Sequence, residues 1–175
     1  PDLSRAGDPL HPIPVAGTEG QEIGENLIVL PWNNADLIEE HLKSGQIAAV
    51  IMEPIMFNSG GVLPVPGYLE RVRDICTKYG TVLIFDEVIT GFRVSAGGAQ
   101  ARLGVTPDLT VLGKALANGF AVAAIVGKRE FMDLMGEGRV MHGGTYNTQS
   151  VSMAATVATL EIIKSGAPHR SINET

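Results

Sequence analysis

The chain has 175 residues, and its 13 Lys and Arg against 19 Asp and Glu give a formal net charge of -6, which argues against nucleic acid or an anionic membrane surface as the main partner. Hydrophobic residues make up 45% of the chain, which excludes general disorder, and no apolar run reaches the roughly 18 residues that a membrane span requires. Cys76 is the only cysteine, which excludes an internal disulfide and a multi-cysteine zinc site and favours a reducing, cytoplasmic compartment.

Secondary-structure signals begin after residue 25. Residues 1–25 are rich in Pro and Gly without periodicity, which predicts a long loop. Strands are predicted at Leu27–Leu30, Ile47–Met52, Thr81–Phe85, Leu109–Leu112 and Val122–Val126. Helices are predicted from Asn33 or Asn34 to Leu42, and at Tyr68–Tyr79, Glu130–Met135 and Ser150–Lys164. Continuous apolar runs are typical of strands buried on both faces, and their alternation with helices predicts an α/β fold with a mostly parallel sheet flanked by helices.

Two charged residues follow predicted strands directly. Asp86 comes after the apolar run that ends at Phe85, and Lys114 comes two residues after Leu112. Ligands of open α/β sheets bind outside the carboxyl ends of the strands, so these positions are candidates for a site. One interpretation is an ion pair that closes the sheet without chemistry. The other is a pyridoxal phosphate site, because that cofactor needs a lysine amine for its aldehyde and a carboxylate at its pyridine nitrogen.

Several ordered motifs around these residues resemble one family. The run from Asp86 to Arg93, followed by Pro107-Asp108-Leu109 and Gly113-Lys114-Ala115, resembles the signature of class III pyridoxal-phosphate aminotransferases. Matching stretches upstream and downstream are Glu53-Pro54-Ile55, Gly60-Gly61, Pro66-Gly67-Tyr68-Leu69 and Gly143-Gly144-Thr145-Tyr146-Asn147. The resemblance covers about residues 26 to 165 and implies the large domain of a fold type I pyridoxal-phosphate transferase.

The resemblance also implies roles for individual residues. Lys114 is the catalytic lysine that forms a Schiff base with the cofactor and then carries a proton between substrate carbons. Asp86 pairs with the pyridine nitrogen, and Val88 packs on a face of the ring. Thr145 binds the cofactor phosphate of the neighbouring subunit, which implies a homodimer. Asn58 joins these residues as a cofactor-binding position.

Position 58 also bears on the branch within the family. Many ω-transaminases carry a Glu five residues after the Glu-Pro start, whereas Asn58 resembles the glutamate-1-semialdehyde 2,1-aminomutase branch. Met56-Phe57 and the stretch 145–148 depart from that branch. The resemblance therefore implies amino-group transfer on a small amino acid or amino-aldehyde, most like the aminomutase. The alternative is a transaminase acting on β- or ω-amino acids with a keto-acid acceptor.

The expected domain organisation is incomplete. Residues 26–175 correspond to part of the cofactor-binding large domain, and the resemblance places the cofactor-phosphate loop upstream and a small domain downstream. We therefore expect this segment alone to bind cofactor weakly or not at all. A second interpretation is a non-catalytic, truncated module of the same fold. A Rossmann-type nucleotide-binding domain is disfavoured because no Gly-x-Gly-x-x-Gly motif follows a strand.

Overall fold

A four-stranded mixed sheet with helices forms the framework of residues 26–174, which are the residues that the computed structural model describes. The strands are β1 (Ala49–Met52), β2 (Val82–Glu87), β3 (Leu109–Leu112) and β4 (Ala124–Gly127). The helices are α1 (Ala35–Leu42), α2 (Tyr68–Tyr79), α3 (Gly98–Leu103), α4 (Arg129–Gly136), α5 (Ser150–Lys164) and α6 (Ala167–Asn173). Short 3₁₀ turns follow β1 and β3, at Phe57–Ser59 and Lys114–Leu116.

The sheet has the order β1-β2-β3-β4, and β1, β2 and β3 are parallel. β4 runs antiparallel to β3. The register pairs Asp86 of β2 with Val111 of β3, and Glu87 with Leu112. The α/β class and the mostly parallel sheet predicted from the sequence are therefore confirmed. This register also sets the residues that follow β2 and β3 at one edge of the sheet.

One face of the sheet carries the main core. The apolar stripes of α1 and α2 pack on Leu83 and Phe85, which are fully buried. Asn34 caps α1 by accepting the Leu37 N–H at 3.1 Å, and Gly80 ends α2 with a φ of 67°. Cys76 lies in this core, where burial raises the pKa of its thiol to about 11.

The second face of the sheet is more open among the described residues. Ile51 of β1 and Ile125 of β4 are 60% and 55% exposed. The prediction that β1 is buried on both faces is therefore wrong for Ile51, because β1 is an edge strand and only Val50 and Met52 face the core. None of the described helices is both long enough and apolar enough to cross a membrane.

Several predicted boundaries also need correction. Leu27–Leu30 forms no strand, because this segment pairs with no strand in the described part of the chain. β2 extends to Glu87, past the predicted end at Phe85, since pairing with β3 continues through both acidic residues. β1 and β4 both begin two residues later than predicted. Helices α3 and α6 have too few turns to show clear periodicity and were not predicted. The loop predicted at 1–25 lies outside the described residues.

Asp108 joins four elements at the amino end of β3. Its carboxylate accepts from Arg73 of α2 at 2.8 Å, from Lys128 beside β4 at 2.6 Å and from the Leu83 N–H of β2 at 2.7 Å. Burial favours the neutral acid, but the hydrogen bonds from Lys128, Leu83 and Arg73 outweigh it and lower the pKa of Asp108. The charged carboxylate therefore stabilises the fold.

We expect Asp108→Asn to lower the free energy of unfolding by about 2 to 3 kcal/mol, because two cations then lose their acceptor at a buried position. Since the pKa of Asp108 is lower in the folded state, its contribution is complete above the ordinary carboxyl pKa. It is lost as pH falls through the folded-state value. Urea unfolding between pH 7 and pH 3 measures this, and the variant should show a flatter pH dependence than the parent.

The matched control is Asp36→Asn, which removes an exposed carboxylate that pairs with Arg71 on the surface. We expect a loss of about 1 kcal/mol or less for that variant. Equal losses for the two variants would contradict a structural role of Asp108 beyond that of a surface pair.

Candidate active site

The two predicted reactive residues lie at the same edge of the sheet. Asp86 is the fifth residue of β2 and pairs with Val111, three residues before Lys114. The Asp86 Oδ1 accepts the Val88 N–H at 3.0 Å, which orients the carboxylate at the end of its strand. Among the described residues, no ion pair joins Asp86 to Lys114. The alternative of a sheet-closing ion pair therefore has no support in the structure.

Lys114 begins the 3₁₀ turn after β3 with a φ of 42°, a left-handed conformation that is uncommon for lysine. Gly113, directly before it, lies against Val88: a Cβ on Gly113 would meet the Val88 Cγ1 at 3.4 Å. The structure therefore brings Asp86, Val88 and the Gly113-Lys114 turn together. Lys114 is exposed at this edge.

Asn58 lies at the carboxyl end of the neighbouring strand β1. The Glu53 carboxylate accepts the N–H groups of Phe57 at 3.1 Å and of Asn58 at 3.3 Å. Glu53 is thus a structural carboxylate that holds the turn. Asn58 itself is exposed.

Thr145 lies elsewhere, in the exposed loop between α4 and α5. No hydrogen bond of the described residues joins it to Asp86 or Lys114. In the same loop, the Asn147 side-chain amide lies 3.3 Å from His142 Nε2. The structure therefore does not bring Thr145 into the cluster formed by Asp86, Val88 and Lys114.

Glu87 anchors the connection that follows β2, a role that the sequence did not predict. It is fully buried, and its carboxylate accepts four hydrogen bonds. Thr90 Oγ1 donates at 2.8 Å and the Ala99 N–H at 2.5 Å. Gln100 donates twice, from its backbone N–H at 3.2 Å and from its side-chain amide at 3.0 Å. These donors satisfy the buried charge and fix both ends of residues 88–99.

Gln100 extends this network to β3, because its Nε2 also donates to Thr110 Oγ1 at 3.1 Å. Gly98 lets α3 approach the carboxylate. A Cβ at Gly98 would stand 2.8 Å from Glu87 Oε1 and closer still to Oε2, and its φ is 71°. The only sequence signal for this arrangement was the second acidic residue in the Asp86-Glu87 pair.

A cavity of about 390 Å³ opens beside Lys114. Arg93, Asn118 and Ala121 also line it, and no acidic side chain does. The wall at Ala121 is held by α5, since Ser152 Oγ donates to the Ala121 carbonyl at 2.9 Å. A second cavity of about 190 Å³ adjoins it and shares Arg93 and Asn118.

Left-handed backbone is concentrated around these cavities. Five non-glycine residues have a positive φ in the described chain, and three of them, Phe92, Lys114 and Asn118, line one cavity or both. Backbone of this kind persists only where the surroundings enforce it, and it clusters at functional sites. This edge of the sheet is therefore the candidate active site.

Comparisons with known proteins identify the family of the chain. The sequence profile of the family described as aminotransferase class-III matches residues 20–175. The chain belongs to the class III aminotransferase family. The family predicted from the motifs is therefore confirmed.

One curated relative of this class III chain is the glutamate-1-semialdehyde 2,1-aminomutase of Methanothrix thermoacetophila. It is 43% identical over 175 residues, which cover 98% of this chain and 41% of the relative. The class III chain therefore spans about two fifths of the length of the curated relatives it matches.

Two solved structures resemble the same class III chain. An omega-transaminase from Sphaerobacter thermophilus has a TM-score of 0.78 at 39% identity, over 86% of this chain and 35% of that one. A structure described as a transaminase with PLP bound has a TM-score of 0.82 at 30% identity, over 91% of this chain and 38% of that one. The fold described above is thus shared with the matching parts of solved transaminases.

The contact between Gly98 and Glu87 gives a test of the network. We expect Gly98→Ala to destabilise the fold more than Gly45→Ala. Both glycines have a φ near 70°, but a Cβ at Gly45 would meet nothing within 4 Å. The control should therefore lose only the left-handed backbone preference, about 1 kcal/mol, whereas Gly98→Ala also displaces a buried carboxylate and should lose about 3 kcal/mol or more. Urea unfolding of both variants measures the difference, and equal losses would argue against the packing role of Gly98.

Proposed function

We propose that this chain carries the catalytic core of a pyridoxal-phosphate enzyme that transfers an amino group through Lys114. The observation that carries the proposal is the register of β2 and β3. That register puts the Asp86 carboxylate and the Lys114 turn at one sheet edge, where Lys114 lines a cavity of about 390 Å³. Cavities that hold cofactors measure about 300 to 1,000 Å³. Family membership and the solved transaminase with PLP bound support the same cofactor.

The side chains at this edge of the sheet match the chemical groups of the cofactor. When bound, pyridoxal phosphate supplies an aldehyde that condenses with amines and a pyridine ring that draws electrons from the substrate carbon. In the proposal, Lys114 Nζ would hold the cofactor at its aldehyde carbon, and the Asp86 carboxylate would accept a hydrogen bond from the protonated ring nitrogen. Val88, next to Gly113, packs on one ring face. The hydrogen bond from the Val88 N–H to Asp86 Oδ1 holds that carboxylate in place.

Lys114 also moves the proton on which amino-group transfer depends. In the proposal, the free Lys114 amine would take a proton from the substrate carbon and return it to a different carbon. The positive charge that Asp86 maintains on the ring makes this proton transfer feasible, because it stabilises the electron pair left on carbon. The left-handed backbone at Lys114 aims the side chain from a turn rather than from a regular element.

Within the family, we propose an activity like that of glutamate-1-semialdehyde 2,1-aminomutase, on a small amino acid or amino-aldehyde. The identity to the curated aminomutase over almost the whole chain supports this, and so does Asn58. The alternative is a transaminase acting on β- or ω-amino acids with a keto-acid acceptor. The similarity to an omega-transaminase structure keeps that alternative open.

Further parts of the proposal concern the whole protein. We propose that residues 26–175 form part of a large domain, because Ile51 and Ile125 leave apolar surface on one sheet face.

We also propose a cytoplasmic homodimer in which Thr145 binds the cofactor phosphate of the neighbouring subunit. The exposure of Thr145, away from Lys114, is compatible with that role. A non-catalytic module has less support, since the residues proposed for catalysis are present.

The test of Lys114 uses the whole protein. After incubation with pyridoxal phosphate and reduction with borohydride, we expect the label on the peptide that contains Lys114, identified by mass spectrometry. Lys114→Ala should abolish the label, whereas Lys43→Ala, which removes an exposed lysine in the turn after α1, should leave it unchanged. A label spread over surface lysines in the parent protein would contradict the proposal.

The test of Asp86 is a separate measurement. We expect Asp86→Asn to retain the borohydride label on Lys114 but to slow the single-turnover reaction with an amine about 100-fold or more, because the ring nitrogen loses its charged partner. Stopped-flow absorbance of the cofactor measures the rate. Asp74→Asn, on the exposed side of α2, is the control. An unchanged rate in Asp86→Asn would rule out the proposed role.

A further inference from the structure

We propose that Asn118 is a site of spontaneous deamidation, in which its side-chain amide becomes a carboxylate in the cavity beside Lys114. The reaction needs no enzyme, because the main-chain nitrogen of Gly119 is the nucleophile and water is the co-reactant. The conversion itself is independent of the proposed function. Its effect on cofactor attachment rests on that function, because it uses Lys114 as the residue that holds the cofactor.

The dipeptide Asn118-Gly119 is the first observation. It is the only Asn-Gly pair in the chain. Because glycine has no Cβ, its nitrogen can approach the preceding side chain with little steric hindrance. Two other exposed asparagines, Asn58 and Asn147, are followed by Ser and Thr. The sequence therefore favours reaction at Asn118 over these two positions.

The local backbone explains why this pair occurs here. Asn118 and Gly119 are the central residues of a turn that the Phe120 N–H closes by donating to the Ala117 carbonyl at 3.3 Å. Their φ angles are 47° and 110°. Asn and Gly are the residues that most readily adopt a positive φ at both central positions of a turn. The turn at the cavity wall therefore requires the same two residues that make it chemically reactive.

Both reacting groups of the pair are available. Asn118 and Gly119 are exposed, and within residues 26–174 neither the Asn118 side chain nor the Gly119 N–H forms a hydrogen bond. By contrast, the Asn147 side-chain amide lies 3.3 Å from His142 Nε2. A single backbone hydrogen bond closes the Asn118 turn, so the turn can open locally while the sheet stays folded. The Gly119 nitrogen then reaches the Asn118 Cγ.

The reaction has two steps and involves no oxidation or reduction. The Gly119 nitrogen bonds to Asn118 Cγ and loses its proton, while Asn118 Nδ2 takes up a proton and leaves as ammonia. Water then cleaves one of the two carbon–nitrogen bonds in the resulting cyclic imide. Cleavage at Cγ gives aspartate, and cleavage at the main-chain carbonyl carbon gives isoaspartate. Either product adds one negative charge to the chain.

The new carboxylate arises where the site has no acid. Asn118 lines the cavity beside Lys114 together with Arg93, and no acidic side chain is among the described residues that line it. A carboxylate in this cavity attracts the Lys114 ammonium and favours the charged form of that group. Only the uncharged amine reacts with an aldehyde. Deamidation of Asn118 should therefore slow the attachment of the cofactor.

The first arm of the test measures the modification directly. The whole protein is incubated in mildly alkaline buffer, and mass spectrometry follows the peptides that contain Asn118, Asn58 and Asn147. We expect Asn118 to lose its amide about tenfold or more faster than the other two asparagines, with formation of both aspartate and isoaspartate. Asn118→Gln should keep its amide, because its longer side chain would have to close a larger ring. Loss of the Asn118 amide no faster than that of Asn58 and Asn147 would overturn the proposal.

The second arm measures the effect of the new charge. Borohydride labelling of Lys114 with pyridoxal phosphate is timed in fresh protein, in aged protein and in Asn118→Asp. We expect labelling to be about two- to fivefold slower in the last two samples, and added salt should reduce the difference. Asn34→Asp is the matched control, because it adds a carboxylate at the cap of α1, outside both cavities, where Asp caps as well as Asn. Equal rates in Asn118→Asp and Asn34→Asp would overturn the proposed effect on Lys114.

The two proposals fail in different ways. If borohydride leaves no label on Lys114 in the fresh protein, the proposed function fails, whereas loss of the Asn118 amide is still measured. If Lys114 is labelled and the Asn118 amide persists, the proposed function stands and the modification site is wrong.

Discussion

The burial of the Glu87 carboxylate constrains the site more than any other interaction. A charge with no solvent exposure must be met by hydrogen-bond donors, and Glu87 draws them from Thr90, from the start of α3 and from Gln100. Residues 88–99 therefore leave β2 and return to it within a short span. Val88 and Arg93 lie in this connection, whose two ends are fixed by hydrogen bonds to the Glu87 carboxylate. Asp86, the preceding residue of β2, points to the opposite face of the strand and is the carboxylate that we propose to bind the cofactor.

The opposite end of the sheet is organised by a second acid. Asp108 accepts from Arg73 and Lys128, so that α2 and β4 are both tied to the beginning of β3. The resulting parallel pairing of β2 and β3 brings Asp86 and the Gly113-Lys114 turn to one edge. The residues that stabilise the sheet are thus different from the residues proposed to bind the cofactor, although both sets lie on or next to β2 and β3. The carboxylates with saturated hydrogen bonds hold the sheet, and Asp86 and Lys114, with few partners in the chain, remain available to a ligand.

The residues with a strained, left-handed backbone also lie around the candidate site. Phe92, Lys114 and Asn118 all adopt left-handed conformations around the two cavities. Such conformations need support from elsewhere, and the contacts that provide it are distant in sequence. The bond from His169 to the Phe92 carbonyl spans α6 and the loop after β2. The bond from Ser152 to the Ala121 carbonyl links α5 to the cavity wall. Helices α5 and α6 therefore shape the surroundings of the candidate site, whose proposed reactive residues lie in or directly after strands of the sheet.

The sequence by itself determined the elements with strong local signals. Helix α2 and helix α5 have the predicted bounds, because helical spacing and a terminal glycine act within a few turns. The positions of Asp86 and Lys114 after apolar runs, with the ordered motifs around them, also sufficed to predict the family. Tertiary structure decided what depends on partners distant in the chain. Leu27–Leu30 is apolar enough for a strand, but it forms none because no described strand lies beside it to pair with. Ile51 is exposed because β1 lies at an edge of the described sheet. The structural role of Glu87 comes from contacts that close only when β2 and α3 meet, and no local pattern encodes it.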